Sequence, residues 1–135
     1  MIEADILGRA RQSAPFCVPW PVAGNPGAIL EFATSDEWLA FLSGLDLNTD
    51  VPRIVSTKYS RAQRLYALSW LDFDLIKAGE LVAITTLEIT LKDRYGGLIP
   101  KERPMLGDLL RHLVIEDGHG DTNLSFTQRY GGKGI

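Results

Sequence analysis

Apolar side chains recur at three- and four-residue steps through the middle of the chain, from Ser60 to Tyr95. Ser60 and Gln63 have the spacing of a capping box, so they predict the start of a helix. Gly79 predicts a break, because glycine weakens a helix by about 1 kcal/mol relative to alanine. A second helix is predicted from Glu80 to Tyr95. The pattern therefore predicts two consecutive amphipathic helices that build the core of a small domain.

Two further helices are predicted, one on each side of this pair. Thr34 and Glu37 form another capping-box pattern, and Gly44 is placed to end the helix that they begin. A last helix is predicted after Pro104, because proline is tolerated in a first helical turn. Asp117-Gly118 follows its apolar stripe and is expected to close it.

The N-terminal half carries extended segments. Four prolines lie between Ala14 and Gly27, which excludes a regular helix there and predicts an extended arm. Ala28 to Ala33 is a candidate strand. A second short strand is predicted from Val51 to Thr57, confined to a sheet edge by Pro52. The expected fold is mainly α, a small helical bundle built on a central helical hairpin, with a short two-stranded β element.

Length and composition favour one intracellular domain. The 135 residues divide into a proline-rich arm (1–27), a helical body (28–118) and a flexible tail (119–135). The net charge of −3 argues against a protein that coats nucleic acid. Cys17 is the only cysteine, which favours a reducing compartment. Because neither a signal peptide nor a membrane-spanning run is recognisable, we expect a cytoplasmic protein without a membrane partner.

Charged residues interrupt both apolar stripes. Asp72 lies between Leu68 and Ile76 on the first helix of the pair. Glu88 lies within the stripe of the second helix, which consists of Leu81, Ile84, Leu87, Leu91 and Tyr95. Either both carboxylates are partly buried and paired with an arginine, or the stripes are narrower than the spacing suggests. We expect structural pairing rather than catalysis.

The loop after the last helix is a candidate for metal binding. Asp117, His119 and Asp121 alternate along it, so all three could face one ion. A calcium loop needs further oxygen ligands and a closing glutamate, and a zinc site needs more histidines or cysteines. We therefore expect a helix-ending loop, with neither a metal nor a cofactor.

The segment YALSWLDFDLIKAGELVAITTLEITLKDRYG, followed by PMLGDLLRHLV, resembles the central helices of HEPN-type domains. The similarity covers about residues 58–116 and includes the Leu87-Glu88 pair. Such domains are small helical proteins of prokaryotic toxin–antitoxin, defence and RNA-processing systems. The resemblance implies a helical bundle acting in such a system.

Active HEPN-type domains cut RNA with an arginine and a histidine that four to six residues separate. Here seven residues separate Arg111 from His119, and eight separate Arg103 from His112. The departure predicts a noncatalytic relative. Arg111, His112 and His119 remain candidates only for the alternative of a divergent, metal-independent ribonuclease, which would take RNA as its partner.

Large aromatic residues exceed what one small core is expected to bury. We therefore predict an interaction module that binds a second copy of itself or another protein. The predicted interface residues are Trp38, Tyr66, Trp70 and Phe73. A further alternative is a small inhibitor or immunity protein that blocks a nuclease or a defence complex.

Overall fold

A computed structural model describes residues 16–20, 24–120 and 123. Within these residues the chain forms two short antiparallel strands and four helices, which confirms the mainly α fold with a short β element. The elements are β1 (Phe16–Pro19), β2 (Ile29–Phe32), α1 (Ser35–Ser43), α2 (Arg53–Leu68), α3 (Leu75–Tyr95) and α4 (Leu106–Ile115). None of the described helices has the length and apolar character needed to cross a bilayer. The predicted arm before Phe16 and the tail from residue 124 onward lie outside the described residues.

The strand predicted over Ala28 to Ala33 is confirmed as β2, and it pairs with β1. The Trp20 N–H donates to the Ala28 carbonyl at 2.9 Å, which continues the pairing beyond β1. Gly24, in the connection between the strands, has φ +76°, a conformation that glycine adopts without steric cost.

The predicted strand from Val51 to Thr57 is wrong, because α2 begins at Arg53. Pro52 precedes the helix and lacks only an N–H that a helix start leaves unused. Its carbonyl accepts the N–H groups of Val55 and Ser56 at 2.9 and 3.1 Å. The proline that suggested a sheet edge therefore marks a helix start.

The capping box predicted for α1 is confirmed. The Glu37 N–H donates to Thr34 Oγ1 at 3.2 Å, and Glu37 Oε2 accepts the N–H groups of Thr34 and Ala33 at 3.4 and 2.8 Å. Gly44 follows the helix, as predicted, and its N–H donates to the carbonyls of the last turn. Local side-chain chemistry is sufficient to define this helix.

The capping box predicted at Ser60 is wrong, since Ser60 lies inside α2. The Gln63 side chain instead donates to Asp46 Oδ1 at 2.8 Å. The Tyr59 hydroxyl donates to the Leu45 carbonyl. Both contacts tie the loop after α1 to α2, and neither could be read from the local pattern around Ser60.

The break between the two central helices falls at Ser69 to Asp74, not at Gly79. The Tyr66 carbonyl, in the last turn of α2, accepts the Ser69 hydroxyl and also Trp38 Nε1, the latter at 2.8 Å. Asp72 Oδ1 accepts the Asp74 N–H at 3.1 Å in the turn itself. Side chains thus satisfy backbone groups that the helix end would leave without partners.

Gly79 lies within α3, where the ring of Tyr66 packs directly against it. A Cβ atom at Gly79 would lie 3.1 Å from Tyr66 Cδ2 and 3.2 Å from Cε2. The glycine therefore permits a close approach between the end of α2 and the start of α3, instead of ending a helix.

The described residues fall into two compact units. The first comprises Phe16 and Glu31–Thr90, and its core is aromatic, with Phe16 contacting Trp38 and Trp70 at ring-centroid distances of 4.9 and 5.3 Å. The second comprises the described parts of Cys17–Leu30 and Leu91–Ile135. Its buried cluster consists of Leu91, Tyr95 and Leu109, with Ile99, Leu106 and Leu113 packed against them.

Candidate functional site

The four aromatic residues predicted to form an interface do not share an exposed surface. Trp38 is 1% exposed and Trp70 is also buried, so the prediction that they form an interface is wrong. The Phe16 ring contacts both of them in the core. Tyr66 is half-buried, whereas Phe73 is 54% exposed. Only Phe73 keeps a largely accessible ring.

The two carboxylates within the predicted stripes differ in their surroundings. Asp72 is exposed and accepts a backbone hydrogen bond in the turn before α3, so its predicted burial is wrong. Asp72 does not share a helical face with Leu68 and Ile76, because it lies in the turn between α2 and α3. Glu88 is half-buried on α3, in agreement with the prediction of partial burial.

The first part of α3 places its large apolar side chains outside. Leu81, Ile84 and Leu87 are 67%, 52% and 44% exposed. The opposite side of the helix carries smaller residues that are buried or half-buried: Gly79, Val82, Ala83, Thr86 and Thr90. The predicted core-facing stripe is therefore wrong for its first three members. Leu91 and Tyr95, at the end of the helix, are buried as predicted.

Thr86 shows how a polar residue occupies the inner side of α3. It is only 4% exposed, and its hydroxyl donates to the Val82 carbonyl at 2.7 Å, so the buried oxygen has a partner. Thr90 makes the same bond to the Thr86 carbonyl at 2.7 Å. Because backbone carbonyls of the same helix satisfy these hydroxyls, the inner side can be both small and slightly polar.

We define the outer face of α3 as Lys77, Leu81, Ile84, Leu87 and Glu88. All five lie between Leu75 and Thr90, within the first compact unit. Lys77 is exposed at one end of the face and Glu88 is half-buried at the other. The face is thus an apolar strip bounded by a cation and an anion. Contiguous exposed apolar surface with a polar rim is typical of protein interaction sites.

A second candidate site lies where α4 ends, and we call it the polar cluster: Arg94, Tyr95, His112, Asp117 and His119. Gly118 has φ +68°, which turns the chain back toward α4. The His119 N–H then donates to the Leu113 carbonyl at 3.0 Å. This turn confirms the predicted end of the helix and brings Asp117 and His119 close to each other.

One carboxylate oxygen is the centre of the polar cluster. Asp117 Oδ2 accepts the Tyr95 hydroxyl and lies 3.1 Å from an Arg94 guanidinium nitrogen and 3.3 Å from His119 Nε2. The His112 ring packs on Tyr95 at a centroid distance of 4.9 Å. The structure therefore brings both candidate histidines to one place, although neither was predicted to contact Tyr95.

The protonation states of Tyr95 and Asp117 favour the hydrogen bond between these two side chains. The bond from Tyr95, together with Arg94 and His119, holds the pKa of Asp117 below its ordinary value, against the opposing effect of burial. Burial, followed by the bond to Asp117, raises the pKa of Tyr95. Both shifts favour a neutral phenol beside an ionised carboxylate. The arrangement fastens the loop after α4 to the end of α3, which is a structural role.

Arg111 belongs to a different group of charges. Asp108 accepts Lys101 Nζ at 2.7 Å and the Met105 N–H at 2.8 Å, and these two bonds lower the pKa of Asp108. Arg111 is close enough to add a smaller lowering effect on the pKa of Asp108. The residues predicted for an alternative ribonuclease are thus divided, with Arg111 near Asp108 and the histidines near Asp117.

Among the described residues, no group of three histidine, cysteine or acidic side chains is arranged to hold a metal ion. Asp117 and His119 are adjacent, but Asp121, the third residue of the predicted loop, lies outside the described part of the chain. Tyr95 is a residue of the polar cluster that was not predicted as a site residue. Its position at the end of an apolar stripe was a usable signal, because a buried tyrosine hydroxyl usually requires a partner.

Comparison with known proteins found no matching family model, no matching curated protein and no matching solved structure. The resemblance to HEPN-type domains therefore stays a prediction. Among the described residues, the outer face of α3 combines three exposed large apolar side chains with a charged residue at each end.

Proposed function

We propose that this chain is a noncatalytic, HEPN-like helical interaction module that associates with a second copy of itself through the outer face of α3. The observation that supports the proposal is the inverted arrangement of that helix. Leu81 and Ile84 lie outside while Thr86 is buried inside. A helix that leaves its large apolar residues in water gains free energy when another surface covers them.

The size of this gain indicates a weak and reversible dimer. Full burial of a leucine or isoleucine side chain is worth about 1.5–3 kcal/mol, so covering the exposed half of one contributes about 1 kcal/mol. Leu81, Ile84 and Leu87 from two copies together contribute roughly 6 kcal/mol before the cost of association. Without the cost of association this sum corresponds to a dissociation constant of about 40 µM, so we expect a dissociation constant in the high micromolar range or above.

Sedimentation velocity over a range of roughly 10 µM to 1 mM, which extends into that range, tests the proposal. The wild-type chain is expected to change from monomer to dimer across the range. Ile84→Asp should remain monomeric, because dimerisation would bury an aspartate against leucine. Ile54→Asp is the matched control, since Ile54 is 53% exposed and Ile84 is 52% exposed, but Ile54 lies on α2.

The control variant should dimerise like the wild type. A wild-type chain that stays monomeric at every concentration contradicts the proposal. Equal loss of dimer in both variants contradicts it as well, because the effect would then not be specific to α3. Circular dichroism of each variant verifies that the helices are retained before the comparison is made.

A further inference from the structure

The outer face of α3 carries a short heptad pattern. Lys77, Leu81, Ile84 and Glu88 follow one another at steps of four, three and four residues. Such steps place the side chains in one line along a helix, the spacing by which helices pair in coiled coils. At 1.5 Å per residue the line is about 16 Å long, or about three helical turns. Leu87 lies at its edge.

The order of the side chains along this line is self-complementary in one direction only. The cation is at the N-terminal end, the two apolar residues are in the middle, and the anion is at the C-terminal end. Two antiparallel copies bring Lys77 opposite Glu88 at both ends of the line. Two parallel copies would place lysine opposite lysine and glutamate opposite glutamate, and like charges in register oppose pairing.

We infer that two copies of this chain pair through antiparallel α3 helices, with Leu81 packed against Ile84 of the second copy and Lys77 facing its Glu88. This inference rests on the proposed function and adds to it the orientation and the groups that select the partner. The pairing is isologous, because each copy contributes the same surface. Such a contact closes on itself and ends at a dimer.

Charge reversal tests the orientation. Lys77→Glu places two glutamates opposite each other at both ends of the antiparallel pair, and Glu88→Lys does the same with lysines. Each variant should raise the dissociation constant roughly tenfold, because two attractive contacts become repulsive. The double variant Lys77→Glu/Glu88→Lys restores both attractions and should return to within about threefold of the wild type. Measurements at low ionic strength limit screening by salt.

Arg64→Glu is the matched control, since Arg64 is exposed on α2 and its replacement changes the net charge by the same amount as Lys77→Glu. The control should leave the dissociation constant within about twofold of the wild type, because Arg64 lies on α2 and is not one of the residues inferred to pair. If it weakens the dimer as much as Lys77→Glu does, the effect belongs to net charge and the inferred pairing is overturned.

Mixing the wild type with the double variant separates the two orientations. In an antiparallel pair the mixed dimer has lysine opposite lysine at one end and glutamate opposite glutamate at the other, so each protein should pair with its own kind. In a parallel pair the mixed dimer has two attractive contacts, so mixing would be preferred. Labelling one protein with a donor fluorophore and the other with an acceptor measures the mixed fraction by energy transfer.

The results distinguish the inference from the proposed function. A monomeric wild-type chain removes both. A dimer that Ile84→Asp abolishes, but that prefers mixing or is insensitive to both charge reversals, retains the proposed function and overturns the antiparallel pairing. Weakening by each single reversal, recovery in the double variant and self-sorting in the mixture together support the antiparallel pairing.

Discussion

Replacement of Gly79 by alanine tests the packing of α2 against α3. The added Cβ atom would lie 3.1 Å from Tyr66 Cδ2 and 3.2 Å from Cε2, which is closer than ordinary contact between carbon atoms. Two opposing effects follow. Alanine favours the helical state by about 0.8–1.0 kcal/mol relative to glycine. Overpacking against the ring costs about 1–3 kcal/mol. We therefore expect Gly79→Ala to be neutral or to destabilise the fold by up to about 2 kcal/mol.

A double-mutant cycle with Tyr66→Ala isolates the contact. The alanine removes the ring but keeps the Tyr66 carbonyl that accepts the bond from Trp38. In this background Gly79→Ala has no ring to meet and should stabilise the fold by about 1 kcal/mol, the helix-propensity gain alone. The coupling energy between the two positions should thus be about 1–3 kcal/mol. Urea denaturation followed by circular dichroism supplies each free energy of unfolding.

Gly107→Ala is the control for helix propensity. Gly107 lies in α4, and a Cβ atom there would meet nothing within 4 Å. It should stabilise the fold by about 0.5–1 kcal/mol, since only the propensity changes. Equal stabilisation of the wild type and of the Tyr66→Ala background by Gly79→Ala would contradict the predicted clash. The ring would then not restrict the position.

Two further predictions concern the second compact unit. Gly96→Ala should destabilise the fold by about 1–3 kcal/mol, because its Cβ atom would lie 2.5 Å from the Lys92 carbonyl oxygen. Gly97→Ala is the control, since a Cβ atom there would meet nothing within 4 Å, and it should change stability by less than about 1 kcal/mol. Thermal unfolding measures both changes. Asp117→Asn should destabilise the fold at neutral pH. The lowered pKa of Asp117 means that its stabilising contribution is present above the ordinary carboxyl pKa of about 4 and is lost as the pH falls further. Urea unfolding at pH 7 and pH 3 should therefore show wild type and variant converging in acid, and a difference that persists unchanged at pH 3 would contradict this assignment.

The elements that the sequence predicts correctly are those defined by neighbouring residues. The α1 start depends on Thr34 and Glu37, three positions apart, and the reciprocal bonds between them are present. The end of α4 depends on Gly118, whose positive φ is a local property. In both cases the groups that satisfy the helix terminus lie within one turn of it, so a short window contains the whole physical cause.

The errors occur where the cause lies far along the chain. The end of α2 is stabilised by Trp38, 28 residues from the Tyr66 carbonyl that accepts its bond. The apparent capping residue Gln63 bonds to Asp46, 17 residues away. No local pattern reports such contacts. The same is true of the polar cluster, in which Tyr95 and Asp117 are 22 residues apart.

The orientation of α3 shows most clearly why periodicity alone is insufficient. Both sides of the helix carry apolar residues at helical spacing, so the pattern defines two candidate faces and does not rank them. Ranking by side-chain size selects Leu81 and Ile84 for the interior. The Tyr66 ring opposes that choice at the start of the helix, because it approaches Gly79 too closely for a side chain at that position.

The inverted helix in turn connects the fold to the proposed function. Turning Leu81 and Ile84 inward would bury more apolar area in one copy, but it would turn Gly79 away from the Tyr66 ring that packs against it. The chain instead retains the close contact and leaves a strip of uncovered apolar surface on α3. Pairing with a second copy covers that strip without disturbing the Tyr66–Gly79 contact. The two properties are therefore separable: a variant that weakens pairing through Ile84 should keep the stability of the monomer, whereas a change at Gly79 should act on the stability of the monomer and leave the outer face of α3 unchanged.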